Sequence, residues 1–84
     1  MTSSEAVTKL FQTGLLFDVD KVDASIIRAL VLAKYNIQIE EADVAWSERT
    51  LRSEQYKYAF LEDEDSPGTF INQTKTTSLR TATQ

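Results

Sequence analysis

The sequence predicts a small α+β domain of three helices followed by a C-terminal β-hairpin and an extended polar arm. Three observations carry this reading. Apolar residues recur at helical spacing in three segments before residue 55, and the pattern changes to alternation at Tyr56–Leu61. After Gln73 the chain reads TKTTSLRTATQ, too polar and too poor in helix formers to build a core. The expected division is therefore a compact unit over 1–72 and an arm over 73–84.

Thr2-Ser3-Ser4-Glu5 fits a capping box, in which the Thr hydroxyl accepts from the third amide of the helix and the Glu carboxylate accepts from the amide of the cap. A first helix is expected over 3–13. Ala6, Val7, Leu10 and Phe11 share one face, and Gly14 is placed to end the helix in the left-handed conformation. After the apolar connector Leu15-Leu16-Phe17, Asp18 or Asp20 is expected to cap a second helix over about 21–35. Asp23 would complement the positive end of that helix.

Val22, Ile26, Ala29, Leu30 and Ala33 form its principal stripe, while Ile27, Val31 and Leu32 carry apolar surface round to a second face. Such a helix is central to the fold or buries a second face against another copy of the chain. Asn36 suits a C-terminal cap, and Ile37-Gln38-Ile39 reads as a short strand or extended connector. A third helix is expected over about 41–55, with charges mixed among Ala42, Ala45, Trp46, Val44 and Leu51.

Tyr56–Leu61 then reads as a strand, with Tyr56, Tyr58 and Phe60 on one side and Lys57, Ala59 and Leu61 on the other. Glu62, Asp63, Glu64 and Asp65 are four successive carboxylates that repel one another. With Ser66-Pro67-Gly68 they predict a loop closed by a type II turn, and Thr69-Phe70-Ile71-Asn72 returns as the second strand.

Charge and residue inventory narrow the function. All thirteen Asp and Glu precede Ser66, against seven Lys and Arg in the same stretch, whereas the rest of the chain carries only Lys75 and Arg80. With neither His nor Cys among 84 residues, imidazole base catalysis, thiolate chemistry and zinc-thiolate sites are excluded. No phosphate-binding, dinucleotide or nucleophile-elbow motif is present, so no enzyme and no cofactor is expected.

Asp18, Asp20 and Asp23 superficially suggest a calcium loop. Counting from Asp18, the fifth position is Val22, the sixth is Asp23 instead of Gly, and the twelfth is Ala29, so capping is the better reading. The run Glu62–Asp65 is read as a solvated turn or a surface for a basic partner, ahead of a metal site. Asn72-Gln73-Thr74 matches a glycosylation acceptor by chance, since nothing else implies secretion. The short apolar runs and polar start predict a soluble, cytoplasmic or otherwise intracellular protein without a membrane span.

The expected function is that of a non-enzymatic accessory subunit docking into a larger protein assembly. Its contacts would come from an aromatic face of Trp46, Tyr56, Tyr58, Phe60 and Phe70, and from Lys75, Leu79 and Arg80 of the arm. In so small a chain most of the Trp46–Phe60 aromatics are needed in the core, with Trp46 the one expected to serve both. Small, acidic, cysteine-free chains of this kind occur among virion and phage components.

Two alternatives stand beside it. Helix 2, a short linker, helix 3 and a hairpin are the element order of a winged helix-turn-helix, with Arg49, Arg52 and Lys57 as the one cluster able to face phosphates. Nearby Glu40, Glu41, Asp43, Glu48 and Glu54, and an acidic wing tip, weigh against DNA. The third reading is an inhibitor whose acidic face imitates nucleic acid.

Overall fold

A computed structural model describes residues 1–75 and shows three helices packed with one small antiparallel sheet. The first helix, α1 (Ser3–Thr13), opens on the expected capping box. The Thr2 hydroxyl accepts from the Glu5 N–H at 3.1 Å, and the Glu5 carboxylate accepts from the Thr2 N–H at 2.9 Å. Gly14 closes α1 at φ 75°, a conformation that strains any residue with a Cβ. Ala6, Val7, Leu10 and Phe11 are the buried face, as their spacing predicts.

A 3-10 turn at Leu15–Asp18 leads to β1 (Lys21–Val22), and α2 (Ala24–Tyr35) follows. The second helix therefore starts later than expected. Its cap is Asp23, whose carboxylate accepts from the Ile26 N–H at 2.9 Å, and not Asp18 or Asp20. Its buried face also differs. Ile27 and Val31 are buried, whereas Ala29 and Ala33 of the expected principal stripe are exposed. Alanines satisfy a helical spacing count but bury little area, so the larger Ile27 and Val31 win the inward position.

Asn36 ends α2 at φ 58° with its N–H donating to the Leu32 carbonyl. Residues 36–40 form an extended connection that buries Ile39 before α3 (Glu41–Arg52). At the start of α3, Asp43 is buried and accepts from the Glu40 N–H at 3.1 Å and the Ser4 hydroxyl at 2.9 Å, tethering α1 to α3. The neighbouring Ser3 hydroxyl, the Glu40 N–H and the Ser4 hydroxyl outweigh burial and hold this carboxyl below its usual range.

Residues 53–59 make turns, where the third helix was expected to continue to 55 and the strand to begin at 56. The Tyr56 and Lys57 N–H groups donate to the Ser53 carbonyl, and Ala59 and Phe60 donate to that of Tyr56. These bonds draw Tyr56 inward beside Phe11 and Phe17. The hairpin itself forms as expected, from β2 (Phe60–Glu62) and β3 (Phe70–Asn72). The Thr69 N–H donates to the Ser66 carbonyl at 3.0 Å and Gly68 has φ +90°, fitting a type II turn with Pro67 and Gly68 at its centre.

The sheet order is β1-β3-β2. β1 pairs with β3 as Lys21↔Ile71 and Val22↔Phe70, while β2 pairs as Phe60↔Asn72, Leu61↔Ile71 and Glu62↔Phe70. Val22, Phe60 and Phe70 point into the core, leaving Lys21, Ile71 and Leu61 as a row on the outer face.

Buried Asn72 holds the sheet to the connector. Its amide donates to the Phe17 and Val19 carbonyls at 2.9 and 2.8 Å and accepts from the N–H and hydroxyl of Thr74. An amide so enclosed is not presented for glycan attachment. Residues 73–75 turn helically where an extended run was expected, and Lys75 donates to the Asp18 carbonyl at 3.0 Å. The rest of the predicted arm, with Leu79 and Arg80, lies outside the described residues.

Candidate protein-docking surface

The aromatic residues expected to form one docking face are mostly structural. Phe60 and Phe70 are buried in the core and offer nothing to a partner. Trp46 packs edge-on against Phe11 at 5.1 Å between ring centroids, and Tyr56 does so at 5.6 Å while stacking on Phe17. Both are half-buried, and burial pushes the Tyr56 hydroxyl above its ordinary pKa. The exception is Tyr58, which is 69% exposed. The reason is geometric: the alternation that would align Tyr56, Tyr58 and Phe60 requires a strand, and residues 53–59 are turns.

The basic cluster is likewise engaged. Arg52 donates from Nε and Nη2 to the two Glu62 carboxylate oxygens at 2.7 and 2.6 Å, and stands 3.8 Å from Glu48. Its guanidinium also lies 5.5 Å from the Phe70 ring centroid, within cation–π range. Glu62 accepts in addition from the Gly68 N–H at 2.9 Å. The Arg52 fork, then the Gly68 N–H, pull the Glu62 carboxyl from an ordinary 4.5 down to about 2.

Lys57 pairs with Glu54 at 2.7 Å, and Arg28, at the α2 side, pairs with Glu41. Of the three cations once available to phosphates, Arg49 makes no ion pair among the described residues. The Arg52–Glu62 bonds fasten the hairpin onto α3, so the residue best placed for an anionic ligand serves the fold.

The acidic turn has two parts. Glu62 faces inward to Arg52, whereas Asp63, Glu64 and Asp65 have no basic partner among the described residues, although Asp63 accepts from the Asp65 N–H. Beside them Leu61 is 60% exposed and Ile71 is half-buried. Together with Glu62 these residues line a shallow concavity of about 370 Å³.

A second concavity, of about 420 Å³, lies between α2 and the 36–40 connection. Arg28, Ala29, Leu32, Gln38 and Ile39 line it. Leu32 is 45% exposed there, while Ile27 and Val31 from the same expected face are internal. Among the described residues no cluster of three carboxylates converges to hold a metal, and no helix is long and apolar enough to cross a membrane.

The sequence reading missed Leu61 and Ile71 as surface residues. The signal was present in the period-2 placement of Leu61 opposite Phe60, but the aromatic residues outweighed it. Comparison with family models, curated proteins and solved structures finds no match to this chain.

Proposed function

We propose that this chain is a non-enzymatic accessory subunit that docks onto another protein through the hairpin side of its sheet. The observation that carries this reading is the pairing of exposed Leu61 and half-buried Ile71 with three carboxylates that have no basic partner among the described residues. Exposed apolar side chains rimmed by charge are the composition of a protein interface. The arm over 73–84, which carries Lys75 and Arg80 and no acid, would add a second contact of opposite sign. A place inside the cell, in the cytoplasm or within a virion, belongs to the same proposal and draws on the lack of cysteine.

A DNA-binding regulator is the second reading, favoured by the order α2, five-residue connection, α3, hairpin. Its weakness is electrostatic. The first turn of α3 carries Glu41 and Asp43, Arg52 is committed to Glu62, and the hairpin tip is acidic. The test is fluorescence anisotropy with a labelled random-sequence duplex at low salt. The docking account expects no saturable binding, and binding that falls steeply with salt would favour the regulator. An acidic mimic of nucleic acid is a special case of protein docking. It predicts a partner with a basic groove that duplex DNA displaces.

A further inference from the structure

We infer that the outer face of the sheet receives an extended segment of another protein in which an apolar stretch is followed by a basic run. This rests on the protein-docking reading and specifies its partner. In the row Lys21–Ile71–Leu61, set by the pairings Lys21↔Ile71 and Leu61↔Ile71, apolar side chains occupy the β3 and β2 positions. The Asp63 N–H donates to the Thr69 carbonyl at 2.8 Å and continues the ladder by one step, so Asp63 falls on the same face as Leu61. Glu64 and Asp65 follow in the turn.

The face thus offers an apolar centre between exposed Lys21 at the β1 edge and three carboxylates in the turn that joins β2 to β3. The neighbouring Glu62 is already satisfied by Arg52 and Gly68 and contributes no attraction of its own. Charge selects the occupant. A second copy would bring together two chains that each carry a net charge of −4. An anionic lipid surface or a nucleic acid meets the same repulsion. A segment whose apolar stretch covers Leu61 and Ile71 and whose run of Lys or Arg lies over the turn relieves it.

The test is an NMR titration of the isotope-labelled full chain with a blocked synthetic peptide of a Val-rich stretch followed by a run of Lys, and with its counterpart carrying Glu in place of Lys. The Lys peptide should shift amides at 61–65 and 69–72 in a saturable way. Binding should weaken by about tenfold between about 50 and about 300 mM salt. A similar loss is expected for Leu61→Ser and for the combined variant Asp63→Asn, Glu64→Gln and Asp65→Asn. Unchanged dispersion of the remaining amides would show that these variants fold.

Equal binding of the acidic peptide, shifts centred elsewhere, no shifts, or concentration-dependent shifts of the free chain at this face would each overturn the assignment. A labelled duplex serves as a separate arm. Shifts at Arg49 and its neighbours on α3 with the duplex would overturn the docking reading itself, whereas failure of the Lys peptide alone removes only this partner class.

Discussion

Replacing Glu62 with Gln should reveal how strongly the hairpin is fastened to α3. The carboxylate takes a two-pronged contact from Arg52 at 2.7 and 2.6 Å and a third bond from the Gly68 N–H, and Gln keeps the shape and one acceptor oxygen while losing the charge. A carboxyl drawn from 4.5 to about 2 sets an upper bound of about 3 kcal/mol on the interaction. The Arg52 side chain is 45% exposed and that of Glu62 29%, so solvent screening reduces the expected loss to about 1–2 kcal/mol.

Because the folded-state pKa is depressed, this stabilisation is complete above pH 4.5 and disappears as pH falls towards 2. Urea unfolding of both proteins between pH 7 and pH 2 measures the effect. The wild type should be more stable by the full amount at pH 7, and the two curves should converge near pH 2. The shifts at Glu5 and Asp43 are common to both proteins and cancel in the difference. A gap below about 0.3 kcal/mol at pH 7, or one that stays constant down to pH 2, would refute the Arg52–Glu62 fastening.

Three further substitutions probe the frame around the surface. Asn72→Asp sets a carboxylate against the Phe17 and Val19 carbonyls in a buried position, and should cost about 3 kcal/mol or more in chemical denaturation at pH 7. Gly68→Ala should cost about 1–2 kcal/mol, because φ +90° is strained for Ala and its Cβ would stand 3.1 Å from the Glu48 carboxylate. On α2, Ile27→Ala should lose about 2–4 kcal/mol while Leu32→Lys stays within about 0.5 kcal/mol, since one is 1% and the other 45% exposed. Concentration-dependent sedimentation restricted to wild-type Leu32 would instead revive an α2 contact between copies.

Local signals were the legible part of the fold. The Thr2–Glu5 box, the Gly14 stop, the Asn36 cap and the Pro67-Gly68 turn each act within a few residues of sequence, and each stands in the structure where its chemistry places it. What escaped was long-range. Lys21-Val22 becomes a strand because β3 lies beside it from about fifty residues away, and no pattern of two residues announces such pairing.

The docking surface was legible in part for the same reason. The carboxylate run identified the acidic turn, yet only tertiary structure divides it into Glu62, bound to Arg52, and Asp63–Asp65, facing outward. Residue type alone left Trp46, Tyr56 and Phe60 divided between core and contact and offered Phe70 as a contact. In the structure Phe60 and Phe70 fill the interior, Trp46 and Tyr56 pack half-buried against it, and the smaller Leu61 and Ile71 are left on the outer face.

Affinity purification of the full chain from its native cell lysate, beside the Leu61→Ser and 1–75 forms, tests protein docking most directly when retained protein and nucleic acid are both quantified. The account predicts a defined protein partner in near-stoichiometric amount, reduced by Leu61→Ser and by loss of 76–84. Recovery of nucleic acid in place of protein, released by salt and indifferent to Leu61→Ser, would contradict it.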